Sequence, residues 1–146
     1  HVYDHEDLIQ LLNDFERKIK ESPVSKDIVL PGYCTSETLV EITAAAKAMI
    51  YVSKSEGFGI PLLEAMRCDV PLVISDQTSL PEVAGDAALV VGINDYEDLG
   101  EKMHALNISE ELRERLINKG RNRVSYYTWD RAAAVCYDAI KTAATN

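Results

Sequence analysis

The run Ser53-Lys-Ser-Glu-Gly-Phe-Gly59 is where residue type and spacing point most directly to chemistry. Gly57 and Gly59 remove side chains just where the chain enters a helical start, Pro61 followed by Leu62-Leu63-Glu64-Ala65-Met66. Backbone N–H groups in such a turn can point at an anion, and the positive end of the helix dipole favours negative charge there. A diphosphate fits that cradle. Glu56 precedes the turn and Glu64 lies in the first or second turn of the helix, on the other side of its N-terminus. A carboxylate at Glu64 can accept two hydrogen bonds from a vicinal diol such as a ribose, which leaves Glu56 to face the sugar end of a nucleotide sugar. Plainer roles stay open: Gly57 and Gly59 as turn residues, Glu64 as a carboxylate that stabilises the helix by about 0.3–1 kcal/mol through its dipole, and Glu56 as a solvated loop acid.

These residues need a strand before them and a helix after them, and the surrounding pattern supplies both. Apolar runs at 28–30, 49–52, 71–75 and 88–91 read as four strands, each without polar alternation. Helical stretches separate them. Residues 5–20 place Leu8, Leu11, Leu12, Phe15 and Ile19 at three- and four-residue steps, and Ser22-Pro23 stops that helix. Ser36 caps a second helix containing Leu39, Val40 and Ile42. Ser79-Leu-Pro-Glu82 has the spacing of a capping box on a short helix ended by Gly85. Asp95, Ser109 and Thr128 begin three more helices. Alternating helices and wholly apolar strands predict an α/β fold: a Rossmann-like parallel sheet with helices on both faces. Ligands in such sheets bind beyond the carboxyl ends of the strands, where the loops 32–36, 53–60 and 76–79 can meet. Asp76 in the last of these serves either a turn or a ligand. Trp129 and Tyr137, at helical spacing, are expected in the core, and His1, His5 and His104 take no catalytic or metal role.

Composition removes several classes of function. The chain has 146 residues, enough for one domain, and 47% hydrophobic content lets it bury a core. A net charge of −9 argues against a nucleic-acid groove. No apolar run reaches the roughly 18 residues of a membrane span, and no signal peptide opens the chain. The three cysteines, Cys34, Cys68 and Cys136, are far apart and suit reduced, partly buried thiols in a cytoplasmic protein.

The stretch Ser53-Lys-Ser-Glu-Gly-Phe-Gly-Ile-Pro-Leu-Leu-Glu-Ala-Met66 resembles the signature of family 4 retaining glycosyltransferases of the GT-B fold, including the seven residues between its two glutamates. Val70-Pro-Leu-Val-Ile-Ser75, Ser79-Leu-Pro-Glu-Val83, Gly85-Asp-Ala-Ala-Leu89 and Thr128-Trp129 continue the likeness in the family's order, over about residues 27–137. The resemblance implies that Glu56 approaches the donor-sugar hydroxyls, that Gly57, Phe58, Gly59 and Ile60 lie along the sugar and phosphates, that Glu64 holds the ribose, and that Gly32 and Tyr33 lie near the base. It further implies retaining transfer without a bound metal or other cofactor, the nucleotide-diphosphate sugar being a co-substrate. No Asp-x-Asp metal motif occurs.

One departure bears on activity. The family's Arg and Lys, which neutralise the leaving diphosphate, would precede His1, and Lys54 does not occupy either position. The chain also opens without Met on a segment that already reads as helix. The expectation is therefore a single Rossmann-like donor-binding domain over residues 1–146, lacking its first strands and the N-terminal, acceptor-binding half, and inactive alone. The acceptor, a glycan, a lipid-linked molecule or another, would bind through that missing half in a cytoplasmic enzyme of glycan biosynthesis, one peripheral to the membrane if its missing parts bind there. A non-catalytic nucleotide-binding or interaction module is the alternative. A phosphoryl-receiver domain would need an acidic pair after its first strand and a late Lys, which the strand ends lack.

Overall fold

The computed structural model describes residues 5–145, with side chains from residue 7 onward, so His1 and the side chain of His5 lie outside the described residues. The chain divides into two compact units, residues 1–35 and 36–146.

In the first unit, α1 (His5–Glu21) carries the expected apolar stripe. Arg17 bridges Asp14 and Glu21, both at 3.3 Å, along its surface. The helix stops before Pro23, and a 3-10 turn (Ser25–Asp27) follows. The strand expected at residues 28–30 is absent: Val29 is 79% exposed and the segment pairs with no strand among the described residues. An apolar run becomes a strand only when another strand satisfies its N–H and C=O groups, and no local pattern reports whether that partner exists.

The second unit contains α2 (Ser36–Ala45), β1 (Met49–Tyr51), α3 (Ile60–Arg67), β2 (Leu72–Ser75), α4 (Leu80–Ala84), β3 (Ala88–Val91), α5 (Tyr96–Ile108), α6 (Glu110–Ser125) and α7 (Trp129–Ala144). Ser36 is the first helical residue of α2 and not its cap. The three strands are parallel in the order β1-β2-β3, with Ile50 opposite Val73 and Val73 opposite Leu89. All four residues of central β2 are buried. Successive side chains of a strand face opposite ways. Leu72 and Ile74 accordingly join Leu62, Met66 and Leu80 in one core, while Val73 joins Val91, Leu106 and Leu116 in another. That is why the run lacks polar alternation: helices cover both faces of the sheet, the Rossmann-like arrangement expected.

The helix boundaries follow local chemistry. The side chains of Asp95, Ser109 and Thr128 accept hydrogen bonds from the N–H groups of Asp98, Leu112 and Arg131 at 3.0, 3.1 and 3.2 Å, capping α5, α6 and α7. Gly85, with φ of 58°, ends α4. Helix α6 lies close against α3, where a Cβ added at Gly120 would stand 3.2 Å from Met66 Cγ. Beyond α3, Arg121 on α6 holds both oxygens of Asp69 at 2.7 Å, and that guanidinium keeps the Asp69 carboxyl below its usual range. Trp129 and Tyr137 do not enter the core. They are 91% and 66% exposed, because helical spacing shows which residues share a face but not whether anything covers that face.

Candidate functional site

The carboxyl ends of β1 and β2 lie side by side, with Tyr51 opposite Ile74. The loop that leaves β1 is tied to the end of β2 by a series of hydroxyl groups. Ser75, fully buried, donates from Oγ to the Ser53 carbonyl at 2.6 Å. The Glu56 N–H donates to Thr78 Oγ1 at 3.2 Å. Ser79 Oγ donates to the Phe58 carbonyl at 3.0 Å and the Glu56 carbonyl at 3.4 Å. The Glu56 carboxylate itself accepts a hydrogen bond at Oε1 from the Tyr51 phenol at 2.8 Å. That bond, then burial, then the carboxylate charge, raise the Tyr51 pKa above its ordinary value. On the loop's other flank the Phe58 ring meets Tyr127 edge-on, centroids 5.6 Å apart. Arg123 steadies Tyr127 by donating to its hydroxyl at 2.9 Å while also donating to the Val83 carbonyl at 2.9 Å.

Ser79 therefore does not close a capping box. Its φ and ψ of −81° and −12° are already helical and its side chain makes no cap hydrogen bond. The hydroxyl turns instead to the Phe58 and Glu56 carbonyls. Asp76 Oδ1 accepts from the Ile93 N–H at 3.2 Å, joining the chain after β2 to the chain after β3.

The two glycines differ. Gly59 caps α3 with φ of 96°, and a Cβ there would stand 2.8 Å from Leu80 Cδ2. Gly57 has no such φ, and a Cβ there would meet nothing within 4 Å. Packing within the protein requires a glycine at Gly59 and not at Gly57, so the space over Gly57 is open to a ligand. Gly59→Ala is expected to destabilise the fold by about 1–3 kcal/mol, and Gly57→Ala to stay within about 0.5 kcal/mol. Urea titration of both variants checks this, and equal losses would refute the distinction.

Pro61 sits in the first turn of α3, as its position in the sequence implied, and that turn holds no acidic residue. Glu64 lies one turn further on, exposed, with no side-chain hydrogen bond or ion pair among the described residues. Dipole effects fade beyond the first turn, so the helix gives little reason for a carboxylate there. Phe58 and Ile60 are exposed beside it, at 42% and 61%. The structure thus brings Glu56, Gly57, Phe58, Gly59, Ile60 and Glu64 together at one helix start. Gly32, with φ of 70°, and Tyr33, 98% exposed, belong to the 1–35 unit.

Sequence reasoning passed over Tyr51, Ser75, Thr78 and Tyr127 and misassigned Ser79. A signal was present: hydroxyl residues collect where β1 and β2 end. A separate hollow of about 360 Å³, lined by Asp69, Glu114, Ile117, Asn118 and Arg121, lies at the opposite end of α3 and shares no residue with this loop. Among the described residues no group of His, Cys, Asp or Glu is arranged to hold a metal ion, and no helix is long and apolar enough to cross a membrane.

Comparison with known proteins places the chain in a family and a fold. The model of the glycosyl transferases group 1 family matches residues 10–123. An O-antigen chain mannosyltransferase B of Escherichia coli is 38% identical over 110 residues, covering 75% of this chain and 29% of that protein. An MMP alpha-(1->4)-mannosyltransferase of Mycolicibacterium hassiacum is 32% identical over 123 residues, covering 82% of this chain and 30% of the relative. The chain thus spans about 30% of the length of these relatives. The crystal structure of a GtfA/B complex shares the fold with a TM-score of 0.73 at 24% identity, over 92% of this chain and 28% of that one. With the family model matching most of the chain and the two-glutamate loop set at the carboxyl ends of parallel strands, this chain belongs to the group 1 glycosyl transferases.

Proposed function

We propose that this chain is the donor-binding part of a retaining glycosyltransferase and holds a nucleotide-diphosphate sugar over the start of α3. The observation that carries the reading is the asymmetry of the two glutamates. Glu56 is fixed by Tyr51 before the helix, and Glu64 is exposed and unpaired one turn inside it. Between them lies the open backbone at Gly57. In this reading Glu56 meets the sugar hydroxyls. The main chain of Gly57, Phe58, Gly59 and Ile60 follows the sugar and phosphates, and Glu64 takes the ribose diol. Negative charge grows on the leaving diphosphate as the sugar departs, and N–H groups already aimed at that position stabilise it without rearrangement. No metal or other cofactor takes part.

The relatives' mannosyltransferase names make a mannose-bearing donor the first to test. The acceptor, a glycan, a lipid-linked molecule or another, would be bound by protein outside this chain, in a cytoplasmic enzyme of glycan biosynthesis, and the chain by itself is not expected to turn over. The reading is tested by adding nucleoside diphosphates to isotope-labelled protein. Backbone resonances of residues 57–64 are expected to shift under saturating nucleotide. Shifts confined to residues remote from that segment would refute the site.

A further inference from the structure

Five hydroxyl-bearing or aromatic side chains surround the 53–59 loop, yet they do not do the same thing. Thr78 and Ser79 bind the main chain of Glu56 and Phe58, Ser75 binds the main chain of Ser53, and Tyr127 packs on the Phe58 ring. Among the described residues only Tyr51 donates a hydrogen bond to the Glu56 carboxylate. Tyr51 is the last residue of β1, half-buried and packed against the core that contains Leu62, Ile74 and Leu80. Its hydroxyl is therefore placed by the sheet, while the carboxylate it meets is carried by a loop.

We infer that Tyr51 is a positioning residue for glycosyl transfer: its phenol clamps Oε1 of Glu56 and leaves Oε2 free, in one orientation, for the donor sugar. The inference rests on the donor-sugar role proposed for Glu56. A phenol has one proton to donate, so it engages one carboxylate oxygen, and the bond is charge-assisted at 2.8 Å. An untethered glutamate would sample several rotamers, and the sugar would have to select one at the cost of side-chain entropy. A phenol keeps its proton at neutral pH even at its ordinary pKa of about 10, so the donor that the clamp needs is present. Because Thr78 and Ser79 hold the main chain independently, losing the phenol frees the carboxylate without releasing the loop.

Tyr51→Phe keeps the ring and its packing and removes only the donor. In the complete protein it is expected to lower kcat about tenfold, the scale of one hydrogen bond to a charged group, and to leave the affinity for free nucleoside diphosphate within about twofold, since that ligand lacks the sugar. Glu56→Gln is expected to lower kcat at least as much. The deciding measurement is the double-mutant cycle. On the Glu56→Gln background, Tyr51→Phe should change kcat by less than about twofold, because the group it orients has already been altered. An equal loss on both backgrounds would make Tyr51 a structural residue and overturn the inference, as would an unchanged kcat for Tyr51→Phe alone. An unchanged kcat for Glu56→Gln would instead overturn the donor-sugar role of Glu56 and the inference with it. The contact has its own readout in ¹³C-tyrosine NMR: the Tyr51 phenol should titrate at lower pH in Glu56→Gln, and an unaltered titration would show that no clamp exists.

Discussion

Leu80→Ala is expected to lower the free energy of unfolding by about 2–5 kcal/mol. Leu80 is fully buried as the first residue of α4, in the same core as Leu62, Leu72 and Ile74. Its truncation removes apolar contacts that water cannot replace and leaves a cavity that the central strand and α3 can only partly close. The position has a second consequence. Leu80 Cδ2 stands where a Cβ on Gly59 would be, 2.8 Å from it, so this side chain packs directly under the turn into α3. Neighbouring Ser79 holds the Phe58 carbonyl from the same segment. The loss should thus fall on the floor of the proposed donor site as well as on the core. Urea denaturation with an unchanged m-value checks the first effect. A loss below about 1 kcal/mol would mean that the core can collapse around the gap.

Glu64→Gln is expected to weaken nucleoside diphosphate binding about tenfold to a hundredfold, the worth of charge-assisted hydrogen bonds at about 1.5–3 kcal/mol, while stability stays within about 0.5 kcal/mol. The two halves of this expectation have one cause. Glu64 is exposed and makes no hydrogen bond or ion pair among the described residues, so the fold has little to lose when its charge goes. A ligand diol that uses both carboxylate oxygens loses an acceptor and meets an amide donor in its place. Isothermal calorimetry gives the affinity and thermal unfolding gives the stability. Unchanged affinity would remove Glu64 from the site. A fall in stability matching the fall in affinity would show that the carboxylate serves the helix after all.

Much of the second unit could be read from residue order alone. The apolar runs that became β1, β2 and β3 marked where strands could form, while the glycine-to-proline entry into α3 and the caps at Asp95, Ser109 and Thr128 act within a few residues of themselves. Backbone dihedral limits and local hydrogen bonds decide them, so sequence order carries the information. The segment at residues 28–30 was as apolar as the others and yet formed no strand, because a strand depends on a partner that composition cannot name. Trp129 and Tyr137 fail in the same way, since a helix face is buried only where something else covers it.

The site divides along the same line. The sequence by itself determined that Glu56 and Glu64 flank a glycine-relieved helix start, because all of those residues lie within one short segment. Only the tertiary structure decided what each one meets. It gave the Glu56 carboxylate the phenol of Tyr51, took Ser79 from its expected cap to the Phe58 carbonyl, and set Tyr127 against Phe58 from the far end of α6. The serine and threonine contacts depend on the parallel pairing of β1 with β2, which brings Ser75, Thr78 and Ser79 beside a loop more than twenty residues earlier in the chain. A serine hydroxyl can serve a local cap, as Ser109 does, or a distant carbonyl, as Ser79 does. Which partner it takes is settled by the ones that folding leaves within reach.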